Sequence, residues 1–347
     1  MTKIHLATGR HTRWMGFSRV GGAEHAMGRA GAFLMADTYE IATEVKEALA
    51  EGRAVVALES TLVAQGLPWP ENLKTAMGAE AAVRSAGATP ATIAVVAGRI
   101  RIGLSAGELE HLACAGTFLK AGRRDLSLAV ARKLDAATTV SATLWIAREQ
   151  GIGVLATGGL GGVHREAAIT FDISNDLDEL ARADGALVVC SGIKSILDMP
   201  ATLDALETRG VPVVGYQTSE LPAFLTRSSG LALEARVESA DEAAALVRAH
   251  RALRLPAAVI LTQPVPKADA LDDAAMDAAL ESALAEARHQ RISGKAVTPF
   301  LLDRIRQATA GRGLHANKAL ILANARLAGD VAMALALNRD FNHEPHQ

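Results

Sequence analysis

The sequence predicts an α/β fold in which helices are layered on a largely parallel sheet. Three observations carry this prediction. Short apolar runs recur along the chain, helical stretches separate them, and small or polar clusters follow directly on several of the runs.

The runs are AVVAL at 54–58, TIAVV at 92–96, GVLATG at 153–158, ALVVC at 186–190, VPVVGY at 211–216 and AVILT at 258–262. Near-continuous apolarity over so few residues reads as strands buried on both faces. Helical patterns cover 71–87, 105–114, 125–149, 176–183 and 239–252, the last opening with Ser239 and Glu242 at capping-box spacing. From about Asp269 the chain is again helical, and Gly and Pro in SGKAVTPF at 293–300 are expected to interrupt it. Residues 1–37 hold no sustained apolar period and read as a loose extension. Residues 38–338 read as one domain, and 339–347 as a frayed tail.

Composition narrows the functional classes. With 347 residues, half of them hydrophobic, the chain has enough apolar surface for a substantial core. A formal charge of -2 provides no basic field for a polynucleotide. Cys114 and Cys190 stand far apart in apolar surroundings, as expected of reduced core thiols. No uninterrupted apolar stretch approaches the roughly 18 residues of a membrane span, and no signal-peptide pattern opens the chain. The expectation is a soluble cytoplasmic protein without a membrane partner.

Ligand sites in parallel sheets gather at the carboxyl ends of the strands. That rule picks out Glu59, Gly158–His164 and Ser191–Lys194. Lys194, in CSGIKSILD, is either a surface cation or an amine that desolvation turns into a nucleophile. Glu59 is either an ion-paired or capping carboxylate, or a general acid at the mouth of a buried strand.

TGGLGGVHR at 157–165 is either a tight connection or a run of bare N–H groups able to cradle a phosphate. In TFDISNDL, Asp172, Ser174 and Asp176 alternate as oxygen ligands for a hard cation would, or else cap the following helix. KAGRRDL clusters Lys120, Arg123 and Arg124 as phosphate ligands or as a solvated charge run. Asn317 and Asn324, seven apart on one helical face, either read a base edge or bond to backbone.

Taken together, VVALEST, GLPWPEN, GRRDL, ATTVSAT, ATGGLGGVHR, TFDISNDL, KSILD, GYQT and KAVTPFLL, in that order between about residues 40 and 335, resemble the pseudouridine-5'-phosphate glycosidase family, also called indigoidine synthase A-like. The resemblance implies a three-layer α/β/α arrangement, a homotrimer, and reversible cleavage of pseudouridine 5'-phosphate to uracil and ribose 5-phosphate. It also implies Lys194 as Schiff-base nucleophile, Glu59 as proton donor, and Asp172 as ligand of a divalent manganese ion (Mn2+). Lys120, Val140 and Ser174, Asn175 and Asp176 match substrate-binding positions. Thr157, His164 and one or both of Asn317 and Asn324 look like further site groups. Many members of this family carry His where this chain has Gln65, a side chain that cannot titrate.

The chemistry suits these residue types. A carbon-carbon glycosidic bond leaves no heteroatom on the departing base to protonate, so the usual pair of carboxylates does not suffice and an electron sink is needed at the anomeric carbon. A lysine imine supplies one. The competing expectations are a Schiff-base lyase for another phosphorylated sugar or for pigment biosynthesis, and a phosphate-ligand binding protein without turnover.

Overall fold

Each of the six apolar runs forms a strand. The computed structural model describes residues 38–114, 118–292 and 297–337, so the expected extension at 1–37 and tail at 339–347 lie outside the described residues. In chain order the strands are β1 (Tyr39–Ile41), β2 (Val55–Leu58), β3 (Thr89–Val96), β4 (Arg99–Ile102), β5 (Leu119–Ala121), β6 (Ala136–Thr138), β7 (Val154–Ala156), β8 (Leu187–Cys190), β9 (Val213–Tyr216), β10 (Ala235–Val237) and β11 (Val259–Thr262).

The helices are α1 (Thr43–Ala50), α2 (Glu71–Ser85), α3 (Ala106–Cys114), α4 (Leu126–Ala131), α5 (Val140–Glu149) and α6 (Ala167–Thr170). They continue with α7 (Asp176–Leu180), α8 (Met199–Thr208), α9 (Ala240–Ala252), α10 (Asp273–His289), α11 (Val297–Ala308) and α12 (Arg312–Leu337).

The strands form one sheet in the order β1-β4-β3-β2-β7-β8-β11-β9-β10, with β6 on β3 and β5 on β6. All pairs are parallel except β3 with β4 and β3 with β6. Alternation along β2 shows the layering. Val56 and Leu58 join the core that includes residues of α2, α9, α10, α11 and α12, whereas Val55 and Ala57 join the core on α1, α4, α5, α7 and α8. Each fully buried Val, Leu or Ile in these layers contributes about 1.5–3 kcal/mol. Ser239 caps α9 by accepting from Glu242 N, as its spacing predicts.

Three local expectations need correction. Residues 125–149 are not one helix, because β6 interrupts them: Ala136 and Ala137, good helix formers, pair instead with Val95 and Ala94. Pro299 does not break a helix but sits in the first turn of α11, where its missing N–H has no intrahelical partner to lose. Cys114 is exposed, and Cys190 alone is the expected core thiol, its pKa pushed up to about 12 by burial. The reading that no uninterrupted apolar stretch spans a membrane is unaffected by α12. That helix is long and apolar enough by length and composition, but it is interrupted by Lys318, Arg326 and Asp330 and has Leu320, Ala328 and Val331 fully buried in the core beside α2 and the sheet.

Candidate active site

Register builds the centre of the site. In the pairing of β2 with β7, Ala57 lies opposite Leu155 and Leu58 opposite Ala156. One residue further, Glu59 therefore meets Thr157, whose hydroxyl donates to Glu59 Oε1 at 2.6 Å. The Thr61 hydroxyl donates to the other oxygen, Oε2. A carboxylate that is 8% exposed is thus held by two hydroxyls in a fixed orientation.

The turns after β7 and β8 run side by side. Leu160 N donates to Gly192 O at 3.0 Å and Lys194 N to Leu160 O at 3.2 Å, which carries Lys194 past the strand end toward Glu59's side of the sheet. Only glycine fits at 192: its φ is +81°, and a Cβ there would lie 2.1 Å from Pro222 O. Behind both turns lies Asn324, fully buried. Its Nδ2 donates to Thr157 O at 2.8 Å, and its Oδ1 accepts from Gln263 Nε2 at 3.0 Å and from Ser191 Oγ at 3.3 Å.

Asp176 locks the third side. Its two oxygens accept from Ser141 N at the start of α5 and from Gly161 N in the glycine run, each at 3.0 Å. A Cβ at 161 would come within 2.3 Å of Ser174 Oγ. Leu160, Gly161, Val163 and His164 all give their N–H groups to internal acceptors. The glycine run therefore serves close packing, and these four N–H groups do not form a phosphate cradle.

These elements enclose a cavity of about 500 Å³. Lys194, Glu59, Lys120, Val140, His164, Asp172, Ser174, Asn175, Asp176 and Asn317 all line it. Two expected residues do not. Thr157 stands behind Glu59, and Asn324 is two turns deeper along α12, so of the two asparagines only Asn317 reaches the cavity. The basic cluster also divides. Arg124 lines the cavity, whereas Arg123 turns away to Glu179 at 2.9 Å and lies over the Trp145 ring. Burial holds the Glu179 carboxyl above its ordinary pKa, with Arg123 opposing.

Sequence reasoning gave no role to Thr61, Ser141, Phe171 or Phe224. All four line the cavity, and Thr61, Ser141 and Phe171 lie inside motifs already singled out, VVALEST, ATTVSAT and TFDISNDL. Phe224 is 2% exposed and fills the space above Gly159, where a Cβ would lie 2.7 Å from its ring. Nothing in its local pattern distinguishes it from a core aromatic.

Electrostatically the cavity is mixed, with Lys120, Arg124 and Lys194 facing Glu59, Asp125 and Asp172. His164 Nδ1 lies 3.8 Å from Asp172 Oδ2. Burial holds the imidazole below its ordinary pKa, Asp172 pulls the other way, and Lys120 and Lys194 add to the depression. His164 is therefore neutral at pH 7, and Lys194 has no second full cation from it. Two further oxygens stand out: Gln65 Oε1 and Asn317 Oδ1 are shut off from solvent and accept no hydrogen bond. Each such orphan costs about 1–3 kcal/mol.

The donor set bears on a metal at Asp172. Among the described residues no three His, Cys, Asp or Glu side chains converge on a metal site, and each oxygen of Asp176 already accepts one backbone N–H. Asp172 remains, with a single carboxylate. That fits a magnesium- or manganese-like ion completed by substrate phosphate and water, and does not fit a dedicated protein cage.

Comparison with known proteins bears on both the fold and the cavity. A family model described as indigoidine synthase A like protein matches residues 44–334. The chain is 50% identical over 296 residues to a protein of Caldanaerobacter subterraneus subsp. tengcongensis named pseudouridine-5'-phosphate glycosidase, covering 85% of this chain and 96% of the relative. It is 52% identical to a protein of that name from Methylobacterium nodulans, covering 85% of this chain and 88% of the relative. Among solved structures, the prealnumycin C-glycosynthase AlnA in complex with ribulose 5-phosphate superimposes with a TM-score of 0.80 at 39% identity, covering 87% of this chain and 98% of that one.

Proposed function

The chain belongs to the indigoidine synthase A-like family, and from that premise we propose how its cavity carries out the reaction for which its closely similar relatives are named. The protein is an enzyme that cleaves the carbon-carbon glycosidic bond of pseudouridine 5'-phosphate, releasing uracil and ribose 5-phosphate. The observation that carries our mechanism is the meeting of Lys194 and the doubly held Glu59 in one cavity at the ends of three adjacent parallel strands.

In this mechanism the Lys194 amine, once deprotonated, attacks the anomeric carbon while Glu59 gives its proton to the ring oxygen. The C–O bond breaks and the sugar opens. The lysine nitrogen, cationic after the attack, gives up a proton and then pushes its electron pair toward the anomeric carbon, the bond to uracil C5 breaks, and C5 takes up a proton. An imine between Lys194 and ribose 5-phosphate is left, and water releases it. Run backwards, the same steps build the C-glycoside.

Lys120 and Arg124 supply cations for the phosphate, Asn317 faces the base, and Ser174, Asn175 and Val140 shape the wall. Asp172 would hold Mn2+, whose charge when bound helps to neutralise the phosphate. We also expect the enzyme to work in the cytoplasm as a homotrimer, which sedimentation equilibrium reads directly.

Incubation with pseudouridine 5'-phosphate and manganese, followed by mass spectrometry, tests the proposal. Uracil and ribose 5-phosphate should accumulate together, and excess chelator should stop both. No release of uracil overturns the activity; full release in chelator overturns the metal.

A further inference from the structure

The two hydroxyls that hold Glu59 differ in where they stand. Thr157, which donates to Oε1 at 2.6 Å, is 4% exposed and does not line the cavity. Thr61, which donates to Oε2, is partly exposed and lines the cavity beside Glu59. Glu59 is itself buried, so Thr61 is the more open member of that pair.

That asymmetry decides which oxygen of Glu59 carries a proton. A hydroxyl rotates about its C–O bond, so it can donate to an ionised carboxylate and accept from a protonated one. A proton on Oε1 would take the acceptor away from the Thr157 hydroxyl in a closed setting, and a buried donor left unanswered is costly. A proton on Oε2 has no such consequence. Thr61 Oγ turns to accept it, and the hydrogen of Thr61 is freed for the cavity. Thr61 also leads into the π-helical turn Leu62–Gly66, a rare conformation that is frequent at functional sites.

We infer that Thr61 is a further catalytic residue, the relay through which the proton of Glu59 reaches the ring oxygen of the sugar. This rests on the role of Glu59 as proton donor argued above. As the Lys194 nitrogen bonds to the anomeric carbon, the bond from that carbon to the ring oxygen breaks and its electron pair stays on the oxygen. The ring oxygen takes the hydrogen of Thr61 Oγ, and Oγ in the same motion takes the hydrogen of Glu59 Oε2. Thr61 ends as the neutral hydroxyl it was at the start, and Glu59 ends as a carboxylate accepting from both hydroxyls. A general acid acts at hydrogen-bond reach or through one intervening water, and here Thr61 takes the place of that water.

The test follows covalent attachment of substrate to the intact enzyme after mixing with pseudouridine 5'-phosphate and manganese, by rapid quench and whole-protein mass spectrometry, in mixtures of H2O and D2O. Two hydrogens move in the relay, so the wild-type rate should bow downward against the deuterium fraction, whereas a single transfer gives a straight plot. Thr61→Val, similar in shape but without the hydroxyl, should form the adduct at least about tenfold more slowly and along a straight plot. Thr61→Ser should restore both rate and curvature. Removing a residue that only oriented Glu59 would change the rate and leave the shape of the plot alone. A straight wild-type plot overturns the relay while leaving Lys194 and Glu59 in their roles, and it does so even if no variant folds. A Thr61→Val protein that matches wild type overturns it equally. Absence of any adduct in wild type overturns the reaction itself, and the relay with it.

Discussion

The Thr157 hydroxyl lies 2.6 Å from Glu59 Oε1, so the end of one parallel strand positions the carboxylate at the end of its neighbour. This contact is built into the sheet register and does not depend on a flexible loop. Thr157 acts through Glu59 and does not line the cavity.

Removing that hydroxyl should therefore act on the reaction more than on binding. Thr157→Val should lower kcat about tenfold or more with KM little changed, the scale expected for one hydrogen bond to a charged or proton-donating carboxyl. Thr157→Ser should restore most of the rate. Steady-state kinetics at saturating pseudouridine 5'-phosphate checks this, and an unaltered kcat in Thr157→Val would remove Thr157 from the mechanism.

Trapping distinguishes the two lysines of the cavity. Borohydride added during turnover should fix a ribose 5-phosphate adduct on the peptide containing Lys194. Lys194→Ala and Lys194→Arg should abolish the adduct and lower kcat by about 10³-fold or more, because guanidinium stays protonated and forms no imine. Label found on Lys120, or appreciable uracil release by Lys194→Ala, would transfer the nucleophile's role elsewhere.

His164 links the site to acid stability. Its pKa is depressed in the folded state, chiefly by burial. Between that value and the ordinary one near 6.5, the unfolded chain binds a proton that the folded chain does not. Stability therefore rises with pH through this window and is lost as pH falls, at no more than about 1.4 kcal/mol per pH unit for one proton. Denaturant titrations from pH 7.5 down to 5.5 should show wild type losing more stability than His164→Asn, a comparison in which opposing groups such as Glu179 cancel. Parallel profiles for the two proteins would refute the assignment.

The central half of the molecule was legible because its strands are buried on both faces and so are apolar without interruption. β1, β4, β5, β6 and β10 were not read. They are three or four residues long and sit toward edges or off the main path, and Arg99-Ile100-Arg101-Ile102 shows the period-two alternation of a strand with one open face. The site was legible at Glu59 and Lys194 for the same reason, since each directly follows a readable strand. Asp172, Ser174 and Asp176 resisted reading because their spacing fits a cation or a cap equally well, and only the distant Ser141 N and Gly161 N reveal what Asp176 does. Asn317 and Asn324 share a helical face, yet the cavity ends between them.

β5, which carries Lys120, touches the sheet only through β6, and β6 pairs with β3 over just two registered residues, Ala136 and Ala137. β6 is held further by Ser60, whose N donates to Thr138 O at 3.3 Å and whose Oγ accepts from Thr138 N at 2.9 Å, so the thin attachment is that of β5 at the border of the sheet, while the wall bearing Glu59 and Lys194 belongs to its continuous interior. Local opening follows the thinnest attachment first. In amide exchange the segment from Leu119 to Ala121 should surrender its protons well before β2, β7 and β8. A ligand bridging Lys120 and Lys194 would then fasten the loosely tethered wall to the rigid one, and occupancy of the site would register as slowed exchange in residues that make no contact with the ligand.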